Sequence, residues 1–358
     1  MSGSGAAPPA GSAGADDTGG FALSGLAVGY ARRRFGRRAV QPVLSGLTAT
    51  ARRGEFTVLL GPNGTGKSTL LRTLAGLQPP LDGTARLDGV DLAAADPDER
   101  ARRLAVVLTE REVPGLLTGG ELVALGRHPH TGYTGRLTAA DHVVVRWALG
   151  AMDAAHLAGR RVAECSDGER QRLFTARALA QQPSAILLDE PTAFLDVSAR
   201  VALTGLLRRL AREQGVVVVA STHDLELALR VADTVWLLDH AGRLHTGTPE
   251  ELTAAGLVGT VFTGDDLVFE PGAGVFTVRG ERRGTAAVDA PADLAPLLRR
   301  ALERAGWRPR ASGDTGPADL AVAAGPDGYR TELDGAVEHH PTLGALTRWA
   351  AEARPPRP

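Results

Sequence analysis

The stretch Phe56–Ala75 restricts the possible folds more than any other part of the chain. An apolar run, Phe56-Thr-Val-Leu-Leu60, leads into Gly61, Pro62, Asn63, Gly64, Thr65, Gly66, Lys67 and Ser68. The segment Thr69-Leu-Leu-Arg-Thr-Leu-Ala75 then reads as a helix. Strand, glycine-rich turn and helix in this order fit G-x-x-x-x-G-K-[ST], the pattern of a nucleotide phosphate-binding loop. The three glycines let successive N–H groups turn inward around phosphate, and the helix N-terminus adds its positive end. The Ser68 hydroxyl suits Mg²⁺, and Thr69 can reach a phosphate oxygen. Of the 40 Lys+Arg residues, Lys67 is the single lysine. A slim ammonium slides under a phosphate loop where a forked guanidinium is too wide.

The 358 residues suit one large domain with a small one, or two of medium size, and 43% hydrophobic content supports a real core. A net charge of −1 gives no general reason to bind nucleic acid or an anionic membrane. One cysteine excludes an intramolecular disulfide framework and fits a reducing compartment. No segment approaches the 18 uncharged apolar residues of a bilayer span. Residues 1–20 are mainly Gly, Ala, Ser and Pro, without a basic start or an apolar run. They read as a disordered tail and not as a signal peptide.

From Phe21 to Leu60, short β-like runs alternate with turn residues, which predicts an antiparallel β-layer ahead of the phosphate loop. Gly83–Gly89 predicts a further strand and turn. Residues 116–180 are mainly helical in pattern, with capping boxes at Thr118-Gly-Gly-Glu121 and Ser166-Asp-Gly-Glu169. Ala185-Ile-Leu-Leu188, Val216–Ser221 and Trp236-Leu-Leu-Asp239 are nearly continuous apolar runs. Such runs are the pattern of strands covered on both faces, so the core is α/β. Thr248-Pro-Glu-Glu251 caps one more helix. Residues 21–255 are expected to form the main domain and 256–352 a small α+β accessory domain, with a frayed tail at 353–358. The accessory strands are expected at Gly274–Val278 and Leu320–Ala323, and its helices at Asp293–Gly306 and Thr342–Ala351.

Two constellations carry chemistry beyond the loop. Asp189 and Glu190 end the first buried strand, at the sheet edge where open α/β sheets bind ligands. Asp189 there can hold Mg²⁺ through water, and Glu190 can orient or deprotonate an attacking water. His223 follows the second buried strand at the same edge and is a candidate contact for a γ-phosphate.

The order of phosphate loop, Cys165-Ser166-Asp-Gly168-Glu169-Arg-Gln171, Leu-Leu-Asp189-Glu190-Pro, Leu195-Asp196 and Ser-Thr-His223-Asp resembles an ATP-binding cassette ATPase over residues 21–255. The signature reads Ser-Asp-Gly-Glu where the family usually has Ser-Gly-Gly-Gln. The resemblance implies a RecA-like parallel sheet, an antiparallel β-layer and a helical subdomain. It also implies ATP and Mg²⁺ as ligands, and two cassettes closing head to tail over two ATPs. Ser166 and Gly168 would then face the γ-phosphate held by the second copy, Asp196 would cross the interface, and Tyr30 would stack on adenine. A glutamine usually ends the strand before the helical subdomain and contacts Mg²⁺. Here Thr109 or Glu110 takes that place.

The segment Glu121–His130 with Tyr133, and Thr192-Ala-Phe-Leu-Asp196, resemble the ATPases of iron–siderophore, haem and cobalamin importers. That resemblance implies permease subunits in the membrane, an extracytoplasmic substrate-binding protein and a place on the cytoplasmic face. Soluble alternatives are a repair or translation cassette and a regulatory nucleotide-binding module. The interval from Lys67 to Ser166 holds no heptad run of the kind repair cassettes carry, and there is one set of motifs where translation cassettes carry two. His128 with His130, and His339 with His340, lack cysteine or carboxylate partners at ligand spacing and read as surface pairs. Cys165 precedes a helix N-terminus, which favours a thiolate, but reads as a small apolar residue. The run Arg32–Arg38 reads as a solvated hairpin.

Overall fold

A computed structural model of the chain describes residues 19–34, 37–108, 115–131, 135–262, 267–270, 274–278, 283–310 and 316–354. The chain divides into two compact units, Met1–Phe262 with Phe269–Val275, and Thr263–Val268 with Phe276–Pro358. Thr109, Glu110 and Tyr133 lie outside the described residues.

The first unit begins with a long antiparallel pair, β1 (Gly20–Arg34) and β2 (Arg37–Arg52), whose register slips between Leu23 and Gly29. With β4 (Asp82–Leu87) and β5 (Val90–Asp91) they form a four-stranded sheet in the order β2-β1-β4-β5. The second sheet has six strands, ordered β10-β9-β3-β8-β7-β6. They are β3 (Phe56–Leu60), β6 (Leu104–Val107), β7 (Ala185–Leu188), β8 (Val217–Ser221), β9 (Thr234–Leu238) and β10 (Leu244–Gly247). All pair in parallel except β10, which runs against β9. Every residue of β3, β7 and β8 is buried, as their largely apolar runs require, with Thr57 and Ser221 the polar exceptions.

Helix α1 (Lys67–Leu74) buries Leu70, Leu71 and Leu74 in one core shared by both sheets, with Phe21, Leu23 and Leu47 from the β-layer and Leu59, Leu187 and Trp236 from the parallel sheet. Trp236 also donates its indole N–H to the Thr50 carbonyl at 3.1 Å. This common core fixes the β-layer, and Tyr30 with it, against the phosphate-loop helix.

Between β6 and β7 stand α3 (Gly119–Ala124), α4 (Ala139–Ala151) and α5 (Asp167–Ala180). Capping boxes open all three, and the one at Thr138 and Asp141 is additional to those the sequence pattern marks. Arg127 lies in the 3-10 turn Leu125–His130 and donates to Asp141 at 2.8 Å, to the Ala180 carbonyl and to Gln182. Both ions are buried, and the Thr138 and Arg127 hydrogen bonds hold the Asp141 carboxyl well below the usual range. Preceding β6 is α2 (Pro97–Arg103); α6 (Val197–Gln214) and α7 (Leu225–Val231) follow β7 and β8 in turn. After β10 come α8 (Pro249–Ala254) and α9 (Leu257–Phe262).

β11 (Leu267–Glu270) and β12 (Val275–Val278) pair as a two-stranded sheet. The second unit has the strands β13 (Gly284–Asp289), β14 (Trp307–Pro309), β15 (Leu320–Gly325), β16 (Gly328–Leu333) and β17 (Ala336–His340) in one sheet, ordered β14-β13-β15-β16-β17. Its helices are α10 (Ala295–Arg304) and α11 (Leu343–Glu352), which bring Leu298, Leu302, Leu346 and Ala350 onto Ala286, Trp307, Leu320 and Val322. Both helices fall within or close to the expected spans, and the strands β13, β14, β16 and β17 are additional. His340 is buried, shares a 2.9 Å hydrogen bond with Thr331 and leans on the Trp349 ring. Among the described residues no group of three or more His, Cys, Asp or Glu could hold a metal ion.

Candidate active site

The phosphate loop joins β3 to α1, and its shape depends on two glycines. Gly61 has φ 153°, and a Cβ there would lie 2.7 Å from the Leu238 carbonyl oxygen. Gly66 caps α1 at φ 99°, and a Cβ there would lie 2.8 Å from Val43. Any other residue in this left-handed backbone region would be strained. Lys67 is buried and folds back over the loop, donating from Nζ to the Gly61 carbonyl at 2.7 Å and the Pro62 carbonyl at 2.9 Å. An ammonium has three donors, so the loop carbonyls orient it without using it up. Burial lowers its pKa from the usual lysine value, and the charges of Glu190 and Asp189 pull it back up.

Those two carboxylates stand where β7 ends. Asp189 is buried and accepts a hydrogen bond from the Ser221 hydroxyl at 2.7 Å. The same oxygen of Ser221 accepts the Glu190 backbone N–H at 2.9 Å. Ser221 ends β8, so one hydroxyl ties together the ends of two neighbouring strands. Glu190 takes a left-handed backbone, φ 46°, which costs a residue with a Cβ roughly 1–3 kcal/mol. His223 is more than half exposed, with Nδ1 3.5 Å from Glu190 Oε2. Lys67, Asp189, Glu190 and His223 therefore gather at the carboxyl edge of the parallel sheet. Ser68 is exposed at the first turn of α1. Tyr30 is half exposed on β1, with its hydroxyl 3.3 Å from Thr69 Oγ1.

Ser166, Gly168 and Asp196 form a second group, where the N-termini of α5 and α6 approach. Ser166 caps α5 in a reciprocal box with Glu169, whose carboxyl is held below its usual range by the Ser166 backbone N–H. Gly168 faces Ala199 and Leu195, where a Cβ would make ordinary contact at 3.6 Å and 3.9 Å. Asp196 caps α6, accepting from the Ala199 N–H at 2.7 Å and the Ser198 hydroxyl at 2.8 Å. Burial pushes the Cys165 thiol pKa up, against the lowering its place before a helix favours. His130 shares a hydrogen bond with the Gln181 carbonyl.

Sequence reasoning assigned no role to Ser221, Asp224 or Arg200. The signal for Ser221 was present: a hydroxyl closing a run of valines has no apolar reason to be there.

A phosphate loop, two carboxylates at the end of a parallel strand and a helical insertion between them define a P-loop ATPase domain. The ABC transporter family model matches residues 44–193. An ABC transporter ATP-binding protein of Methanocaldococcus jannaschii is 43% identical over 220 residues, covering 62% of this chain and 76% of that one. The ferric enterobactin transport ATP-binding protein FepC of Escherichia coli is 40% identical over 220 residues, covering 62% of this chain and 81% of that one. The hemin import ATP-binding protein HmuV of Pseudomonas entomophila is 41% identical over 241 residues, covering 66% and 92%. Among solved structures, a dimeric ATP-binding cassette bound to ADP and Pi has a TM-score of 0.54 at 26% identity, covering 64% of this chain and 98% of that one. The chain belongs to the ABC transporter family as an ATP-hydrolysing, ATP-binding subunit.

Proposed function

We propose that this chain energises a membrane importer whose cargo is a ferric siderophore. The observation that carries the reading is the gathering of Lys67, Asp189, Glu190 and His223 at one sheet edge, in a chain 40% identical to a ferric enterobactin transport ATPase. Lys67 and the N–H groups of Gly61, Asn63, Gly64, Thr65 and Gly66 cradle the β- and γ-phosphates, Pro62 shapes the loop without donating, and Thr69 adds a hydroxyl. Glu190 takes the proton of the attacking water, and His223 holds a γ-phosphate oxygen. Tyr30 stacks on adenine. The Ser68 hydroxyl and the Asp189 carboxylate are hard oxygen donors of the kind Mg²⁺ takes, and the metal would neutralise charge on the phosphates. In sequence order, Thr109 or Glu110 takes the place of the family's glutamine.

Closure brings Ser166 and Gly168 of a second copy over the γ-phosphate, at the positive end of α5, while Asp196 crosses the interface. Among the described residues no helix is long and apolar enough to cross a membrane. Separate permease subunits would therefore receive the stroke at the cytoplasmic face, and an extracytoplasmic binding protein would deliver cargo.

The test is reconstitution in liposomes with the cognate permease and binding protein, comparing ATPase stimulation by ferric siderophores, haem and cobalamin. Stimulation by haem or cobalamin alone would reassign the cargo. Absence of Glu190-dependent hydrolysis in the assembled system would overturn the importer reading itself.

A further inference from the structure

Two loops of the site open neighbouring helices: Asp196 caps α6 and Asp224 caps α7. One side chain spans them. Arg200, in the first turns of α6, donates from Nη1 to Asp224 Oδ2 at 2.7 Å and from Nη2 to the Leu195 carbonyl at 3.2 Å. Leu195 immediately precedes Asp196, and Asp224 immediately follows His223. The Asp224 carboxylate is shared, since its Oδ1 accepts the Leu227 N–H at 3.1 Å and so starts α7. Its own backbone N–H is held by Thr222 Oγ1 at 3.0 Å.

A small void, lined in part by Phe56, Val58, Leu207, Leu227, Ala228 and Val231, lies where α6 and α7 pack on the sheet. Helix α7 is only 7 residues long, and its start is tied by these polar bonds as well as by burial of Leu225 and Ala228. A planar guanidinium engages two acceptors at a set spacing, which a lysine ammonium does not.

We propose that Arg200 is a positioning residue for hydrolysis, holding the Asp196 loop and the His223 loop at one fixed spacing. The inference rests on the ATP-driven dimer described above and adds a coupling to it. When Asp196 seats against the second copy, the Arg200 link sets His223 of its own chain. Each site then reads whether the interface has closed, so hydrolysis is cooperative in ATP.

The test uses the full chain carrying Arg200→Met, Arg200→Lys, Asp224→Asn, or Arg200→Met with Asp224→Asn. kcat, KM and the Hill coefficient for ATP are measured together with thermal unfolding with and without Mg-ATP. The expected kcat of Arg200→Met falls about ten- to a hundredfold, as a misplaced catalytic group predicts. KM and the Mg-ATP thermal shift stay within about twofold, because the phosphate loop is untouched. The Hill coefficient drops towards one, Arg200→Lys recovers part of the loss, and the double variant is no worse than Arg200→Met. A kcat within about twofold of wild type, additive losses in the double variant, or a thermal shift lost in step with kcat would overturn it. Wild-type hydrolysis without cooperativity would remove the coupling. A wild-type chain that stayed monomeric with Mg-ATP would instead remove the dimer reading, and the inference with it.

Discussion

Replacing Ser221 with alanine removes one oxygen and two hydrogen bonds. The hydroxyl donates to the Asp189 carboxylate at 2.7 Å and accepts the Glu190 N–H at 2.9 Å, in a residue only 1% exposed. A bond to a charged group contributes about 1.5–3 kcal/mol and a neutral one about 0.5–1.5, so the loss is about 2–4 kcal/mol. In a unit of this size that lowers the melting temperature by about 5–15 °C. The catalytic consequence is larger than the stability term suggests. Glu190 sits at φ 46°, and the bond to Ser221 is what holds its backbone N–H there. Released, the backbone relaxes towards an ordinary conformation and carries the carboxylate away from the attacking water. A displacement of about 1 Å costs up to a hundredfold in rate. Steady-state ATPase assays should therefore show kcat down about ten- to a hundredfold, with KM changed far less because Lys67 and its loop remain. Ser221→Thr should restore much of both losses, since the hydroxyl is kept and Ser221 borders the small void where a methyl can lodge. A Ser221→Ala protein whose kcat stayed within about twofold of wild type would refute the argument that this hydroxyl positions Glu190.

Glu190→Gln should retain Mg-ATP without turning it over and should run as a dimer in size-exclusion chromatography; a variant that stayed monomeric with Mg-ATP would count against closure over two nucleotides. Lys67→Arg should abolish hydrolysis despite the unchanged charge, because the Nζ site lies within 2.9 Å of two loop carbonyls and has no width for a guanidinium. Near-normal turnover would show that charge alone suffices. Asp233 tests the pH dependence of the fold. Burial would raise its pKa, but the Phe56 N–H and the guanidinium groups of Arg208 and Arg212 outweigh that and hold it below the usual carboxylate range. A depressed carboxylate stabilises the folded state above its unfolded pKa, and the effect is lost as pH falls through the folded value. The melting temperature of Asp233→Asn should thus lie below wild type at neutral pH, with the gap closing in acid below about pH 4. A gap unchanged by acid would assign the loss to packing.

The local signals were strong wherever a residue type answers a local need. Buried strands announce themselves as largely apolar runs, as β7 and β8 do. Ser166 and Thr248 mark helix starts, because capping needs only a hydroxyl and a glutamate three residues on. The phosphate loop is legible because its glycines, lysine and serine all act within one turn of chain. Thr138 was missed because its box closes with aspartate in place of glutamate. In the second unit β13, β14, β16 and β17 were missed as well. β14 and β17 are edge strands and β13 and β16 are half-buried strands with polar residues interspersed, so sheet pairing, which is non-local, decides them.

By itself, then, the order of residues determined the α/β class, the phosphate loop and the candidates Lys67, Asp189, Glu190 and His223. Those follow from periodicity, capping and motif spacing, all of which operate over a few residues. Only the tertiary structure decided how the candidates are held. Ser221 meets Asp189 across 32 positions, Arg200 meets Asp224 across 24, and Tyr30 reaches Thr69 across 39. Arg127 and Asp141 find each other inside the helical layer, with Gln182 completing the set from 55 positions away. A hydrogen bond is made by groups within about 3 Å in space, whatever their separation along the chain. Which distant groups come that close is set by the packing of the shared core, and no local pattern encodes it.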